Sequence, residues 1–423
     1  MKSFVLRGDF VSAPEPDRLE SVREGYMVVE NGVIRGLYPV LPEQYRGIPA
    51  EDYSGKLILQ SFSDMHLHAP QYPMLGMGMD LQLLDWLQAY AFPNEARFRD
   101  PDYAREEYAR LSGDLIRAGT TRVVMFSSLH TDATLILMEE LEKAGITGYV
   151  GKVNMDRNAT EGYQETTEES VSETIRFIEE SSRFHKIRPI ITPRFTPSCS
   201  DRLMKELGRI AREYGLYVQS HLSENLQEME WVRILHPDCG EYWETYDKFG
   251  LFGDHTVMAH CIWSGERERK VMRERNVLAV HCPDSNVNVC SGQFPMARML
   301  DEGNWVALGS DIAGGADYHM NRVMTGAIRT SKARRIQSGW EERFLQIREA
   351  YYLGTTAGAV YFGTGKGFAA GDRLHAVVVD ERSFPKNDHL TLQERLERAL
   401  YLMDEKNIDA VFSDGEKAVG SAV

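Results

Sequence analysis

Eight short apolar, β-branched runs recur along the middle of the chain, each followed by a charged stretch whose apolar residues return at helical spacing. The runs are Leu57-Ile58-Leu59, Arg122-Val123-Val124-Met125-Phe126, Tyr149-Val150-Gly151-Lys152-Val153, Pro189-Ile190-Ile191-Thr192, Tyr217-Val218-Gln219-Ser220, Thr256-Val257-Met258-Ala259, Val277-Leu278-Ala279-Val280 and Trp305-Val306-Ala307-Leu308. Residues 168–183 and 201–214 are examples of the helical stretches between them. Strands separated by helices pair in parallel, and eight such units over about 250 residues fit a closed α/β barrel of the TIM type, (β/α)8, better than an open doubly wound sheet. No GxGxxG follows a strand, so a dinucleotide fold has no support.

The two ends of the chain have a different texture. Phe4-Val5-Leu6, Met27-Val28-Val29, the turn Asn31-Gly32 and Val33-Ile34 read as a small β meander. Gly371-Asp372, His375 to Asp380, Ala410-Val411-Phe412 and Asp414-Gly415 read the same way near the other end. The expectation is a small β-sandwich domain built from both termini, residues 1–58 and 366–423, with the barrel, 59–365, inserted between them.

Composition narrows the functional classes. With 48 Lys and Arg against 63 Asp and Glu, the formal net charge is −15, which gives no electrostatic footprint for nucleic acid or an anionic membrane surface. Five cysteines without a CxxC pair argue against a disulfide scaffold or a cysteine zinc knuckle and for a reducing cytoplasm. The first residues meet charge before any apolar stretch, and no apolar run approaches the ~20 residues of a membrane span, so neither a secretory leader nor a membrane anchor is expected.

In an α/β barrel the chemistry gathers at the C-terminal ends of the strands. The first strand ends in Asp64-Met65-His66-Leu67-His68, where positions i and i+2 put both imidazoles on one side. The fifth ends in His221, the sixth in His260 and the eighth in Asp311. Imidazoles with a carboxylate suit one divalent ion, zinc first and iron(II) second, with a position left for water. His260 either binds the ion or hydrogen-bonds the water; the pattern allows both. Glu224, three residues past His221, can reach that water as general acid and base, and Asp311 can also accept a proton. Strand four ends in Arg194, whose guanidinium cannot replace the carboxylated lysine of two-metal barrels, and Lys152 reads as an ion-pair residue, so one metal is expected. His281 is left unassigned, and His130, His185, His236, His255, His319, His375 and His389 are read as structural. An ion with bound water implies hydrolysis.

Several stretches carry a family resemblance. His66-Leu67-His68-Ala69-Pro70-Gln71-Tyr72-Pro73, Leu83-Leu84-Asp85-Trp86-Leu87, Phe92-Pro93-Asn94-Glu95-Ala96-Arg97-Phe98, Met155-Asp156-Arg157-Asn158, Thr192-Pro193-Arg194-Phe195, His221-Leu222-Ser223-Glu224-Asn225 and His281-Cys282-Pro283-Asp284-Ser285-Asn286 resemble the guanine deaminases of the amidohydrolase superfamily. The resemblance spans residues 57–362. It implies a zinc-dependent, homodimeric barrel that converts guanine to xanthine and ammonia. It also implies His66, His68, His221 and Asp311 as metal ligands, Glu224 as proton shuttle, His260 as the histidine that orients water, and Gln71, Arg194 and Phe195 as purine contacts. Gln71 offers a donor and an acceptor, Arg194 a donor to a carbonyl oxygen, and Phe195 a ring face. The cytidine-deaminase type of enzyme is excluded because its HxE and PCxxC elements are absent. The alternatives are a deaminase of another amino-heterocycle (an aminopurine, pterin or triazine) and a catalytically silent barrel acting as a scaffold.

Overall fold

The computed structural model describes residues 3–418. Its strands are β1 (Ser3–Glu15), β2 (Arg18–Glu30), β3 (Val33–Tyr38), β4 (Ala50–Gln60), β5 (Phe62–His68), β6 (Thr120–Phe126), β7 (Thr147–Gly151), β8 (Val153–Asn154), β9 (Ile187–Pro189), β10 (Thr192–Pro193), β11 (Gln219–Leu222), β12 (Val257–His260), β13 (Leu278–His281), β14 (Val306–Leu308), β15 (Ala376–Val379), β16 (Ile408–Ser413) and β17 (Glu416–Lys417).

The barrel forms from two parallel ladders, β5-β6-β7-β9 and β11-β12-β13-β14. They join on one side through a parallel bridge between Ile191 and Val218. On the other side the Asp311 amide donates to the His66 carbonyl at 2.9 Å and the His68 amide to the Ile312 carbonyl at 3.0 Å. Alternate residues point in and out, as the pleat requires. Val124 packs inward with Met65, Ile190, Val257, Leu278, Val280 and Ala307, while its neighbours Val123 and Met125 join the core beneath the outer helices.

The connecting helices are marked by their ends. Thr166 and Glu169 form a reciprocal capping box at the start of the helix Thr167–Ser181. The helix Asp201–Tyr214 begins with the Ser200 hydroxyl accepting the Leu203 amide and stops at Gly215, whose φ of 64° is left-handed. Its buried Leu203, Leu207, Ile210 and Ala211 share one face.

The terminal strands form one seven-stranded sheet, ordered β17-β16-β15-β4-β1-β2-β3. It curls until Val33 bridges Arg373, enclosing Leu6, Phe10, Met27, Ile34, Ile58, Val378 and Phe412 in a core of its own. The hairpin turns sit where the sequence placed them. Asn31 and Gly32 have φ of 56° and 79°, and Asp414 and Gly415 have 52° and 84°, the pair of left-handed residues that tight hairpins use. One strand is redistributed. Leu57-Ile58-Leu59, expected as the first barrel strand, lies in β4 between β1 and β15, and the barrel begins with the separate β5. The apolar run is the stronger strand signal, whereas β5 alternates with the polar Ser63, Asp64, His66 and His68 that the barrel mouth requires. Among the described residues no helix is long and apolar enough to cross a membrane.

A methyl group added at Gly208 would lie 1.9 Å from the Phe249 carbonyl oxygen, so the helix approaches its neighbour's backbone through a residue without a side chain. Gly208→Ala is expected to destabilise the protein by about 1–3 kcal/mol through overpacking, read as a lower urea midpoint at unchanged slope.

Candidate active site

Four barrel strands bring His66, His68, His221, His260 and Asp311 together at the mouth. The ligand atoms of His66, His68 and His221 lie within 4.8 Å of one another, as do those of His66, His260 and Asp311. The His66 and His68 rings, two residues apart on β5, are 5.1 Å apart between centroids. His68 Nε2 is 3.1 Å from His221 Nε2, and Asp311 Oδ1 is 3.2 Å from His66 Nε2 and 3.6 Å from His68 Nε2. All five side chains are buried.

The protonation pattern suits a cation. Burial holds the His66 imidazole below its ordinary range and those of His68 and His221 well below it, so all three are neutral near pH 7. The His221 Nδ1–H donates to the Arg194 carbonyl at 2.6 Å, which leaves a bare lone pair on Nε2 facing His68. His66 Nε2 and His68 Nδ1 are buried without a hydrogen-bond partner. Although burial opposes it, the adjacent His66 and His260 imidazoles carry the Asp311 carboxyl below its usual range. Nitrogen lone pairs aimed at one another beside an ionised carboxylate fit a divalent metal of the zinc or iron(II) kind.

The ends of these strands leave ordinary backbone geometry. Ser223, His260, Cys261 and Asp311 have φ of 48°, 72°, 49° and 50°, left-handed values that non-glycine residues adopt only when held. Asp64 supplies part of that hold. It accepts the Ser310 amide at 2.9 Å and the Ser310 hydroxyl at 2.5 Å, locking β5 to the segment that carries Asp311.

Glu224 and His260 stand beside the cluster. His260 Nε2 is 3.5 Å from Glu224 Oε2 and 3.7 Å from Asp311 Oδ2, and its Nδ1 faces Asn286 Oδ1 at 2.9 Å. Burial pushes the Glu224 carboxyl up to about 7, and its Oε1 accepts the Ser291 hydroxyl at 2.9 Å. A carboxyl that titrates near neutral pH can both give and take a proton there.

A cleft opens over these groups. Gln71, Arg194 and Phe195 line it together with the apolar Leu83, Trp86, Leu87 and Val289, so all three expected purine contacts share the cavity with the cluster. Lys152 instead forms an ion pair with Glu165 at 2.6 Å. His281 stacks on Phe294 and accepts from the Asn286 amide at 3.3 Å. The acidic and aromatic segment 239–246 braces β11 from behind, with the Tyr246 hydroxyl donating to the His221 carbonyl at 2.8 Å.

Sequence reasoning passed over Asp64, Asn286 and Ser291, and also Glu95, a fully buried carboxylate that meets Gln71 and Arg194. Asn286 ends the HCPDSN stretch and Glu95 sits in the FPNEARF stretch, so the resemblance held the signal for these two; Asp64, two residues before His66, and Ser291 lie outside the stretches that carry it.

Comparison with known proteins agrees with this geometry. Residues 57–418 match the Amidohydrolase family. Guanine deaminase of Mus musculus is 39% identical over 370 residues, covering 84% of this chain and 81% of the relative. Guanine deaminase of Escherichia coli is 31% identical over 430 residues, covering 97% and 96%. The crystal structure of guanine deaminase from C. acetobutylicum with bound guanine in the active site superposes with a TM-score of 0.96 at 42% identity, covering 99% of this chain and 100% of that one. The chain is an enzyme of the amidohydrolase family and belongs, within it, with the guanine deaminases.

Removing the Asn286 side chain frees His260 without altering any group of the imidazole cluster. Asn286→Ala is expected to lower kcat/KM by about 10–100-fold at unchanged metal content. Steady-state assay alongside elemental analysis measures both.

Proposed function

We propose that the protein hydrolytically deaminates guanine, taking up water and releasing xanthine and ammonia. The observation that carries this reading is a single cleft holding both the imidazole and carboxylate cluster and a wall of Gln71, Arg194 and Phe195. The guanine deaminases similar along nearly the whole chain support the substrate. Residues 59–365 are taken as the catalytic unit, working as a homodimer in the cytoplasm.

In this reading His66, His68, His221 and Asp311 hold one ion, zinc in preference to iron(II). Such an ion, when bound, lowers the pKa of water from about 15.7 toward 7. Asp311 accepts a proton from the attacking water, and His260 keeps that water oriented toward the ring. Phe195 offers its face to the purine, while Gln71 and Arg194 hold the carbonyl edge and set the amino-bearing carbon toward the cluster. Glu224 protonates the ring nitrogen next to that carbon as the new C–O bond forms. The proton held by Asp311 then passes to the amino group, the C–N bond breaks as the new hydroxyl returns its proton to Glu224, and ammonia leaves.

Metal content, substrate preference and one variant test this. Purified enzyme is expected to contain one equivalent of zinc per chain and to release ammonia faster from guanine than from other aminopurines, pterins or triazines; preference for another ring overturns the substrate. Chelation is expected to abolish turnover, and zinc to restore it. Glu224→Gln is expected to keep its metal and lose turnover by about 10²–10⁴-fold. Near-normal ammonia release from that variant removes Glu224 from the mechanism.

A further inference from the structure

Glu95 lies on the short helix Phe92–Ala96, outside the metal cluster, and is completely buried. Its two carboxylate oxygens collect three donors from three loops. Gln71 Nε2 donates to Oε1 at 2.7 Å, and Arg194 Nη1 and the Tyr163 hydroxyl donate to Oε2 at 2.7 and 2.8 Å. The same helix offers Arg194 the Phe92 ring, 5.0 Å from the guanidinium carbon. Arg194 is itself buried, and the charge of Glu95 helps to keep it protonated against the cost of that burial.

The effect on Gln71 is directional. Its amide oxygen accepts the Ala313 backbone N–H at 2.9 Å while its amide nitrogen is taken by Glu95. Rotating the amide by half a turn would set an NH2 group against the Ala313 N–H and an oxygen against the Glu95 carboxylate. Both contacts are repulsive, so one orientation survives. With its oxygen engaged by Ala313 and one amide hydrogen by Glu95, what Gln71 keeps for the cleft, together with the free N–H groups of Arg194, is dominated by donors. A donor-rich wall accepts a carbonyl oxygen and leaves an amino group poorly paired against other N–H groups.

We propose that Glu95 is a positioning residue that sets the specificity of the site, holding Gln71 and Arg194 as a wall of donors that selects a purine with a 6-oxo group over one with a 6-amino group. This rests on the assignment of guanine as substrate. The discriminating probe is 2,6-diaminopurine, which carries the same 2-amino leaving group as guanine and differs at position 6.

Guanine turnover by the unaltered enzyme is measured first; its absence overturns the substrate assignment and this inference with it. In Glu95→Gln, the new NH2 group must face one of the former donors, so Gln71 loses its fixed orientation. The kcat/KM ratio of guanine to 2,6-diaminopurine, followed by ammonia release, is expected to fall at least 10-fold, mostly through a higher KM for guanine, at unchanged zinc content. A purely structural role would lower both activities together, and an unchanged ratio in an enzyme that turns over guanine overturns the role of Glu95 alone. Should Glu95→Gln fail to fold, Tyr163→Phe removes one donor from the same carboxylate without touching Gln71 or Arg194. A ratio lowered about 2–5-fold supports the inference and an unchanged ratio overturns it.

Discussion

Lone pairs that point at one another in a dry cavity are the constraint around which this molecule is arranged. His66, His68 and His221 are uncharged and buried, the latter two face each other nitrogen to nitrogen at 3.1 Å, and the ionised Asp311 stands against them. Left alone, such a set is repulsive and poorly hydrated. A positive charge at the common focus turns every one of these contacts favourable. The left-handed turns at the ends of the fifth, sixth and eighth barrel strands and the Asp64–Ser310 clasp have the same purpose, to keep the donors aimed when relaxation would spread them.

Several polar groups of the cleft are tied to backbone as well as to one another. His221 is oriented by the Arg194 carbonyl, Gln71 by the Ala313 amide, and the Glu224 and Asn225 amides by Glu228 at 3.1 and 3.2 Å. Backbone on a barrel moves little, so side chains referred to it need no reorganisation when charge develops in the cleft. The apolar Leu83, Trp86, Leu87 and Val289 across the opening keep those groups away from bulk water, where each would be worth less.

Much of this was legible in the chain. Strand ends in a barrel converge on one rim, so a histidine or aspartate at such an end carries positional information, and His66, His68, His221, His260 and Asp311 could be gathered before any coordinates. Glu224 followed from its distance to His221 along the chain. Periodicity was silent on Glu95, Asn286 and Ser291 because they reach the cleft from loops and short helices, where no period fixes direction; only the family resemblance covered the first two. The run Leu57-Ile58-Leu59 misled for a related reason: hydrophobicity marks a strand without saying which sheet receives it. Gln71 was read as both donor and acceptor. Only the neighbours of its two amide atoms, residues 95 and 313, show that the oxygen is already spoken for.

The seven-stranded sheet has a consequence for how the chain is made. β4 lies at the middle of that sheet, its one side paired to β1 and its other to β15, some three hundred residues later. While the polypeptide emerges from the ribosome, β1 to β4 can assemble at once, yet Leu57, Ile58 and Leu59 keep an open apolar edge until β15, Ala376–Val379, arrives. The barrel is thus synthesised whole in the interval when its neighbouring sheet is most adhesive. That border closes only once residues 376–379 have been made, which makes β15 a late-arriving seal beside a barrel already complete.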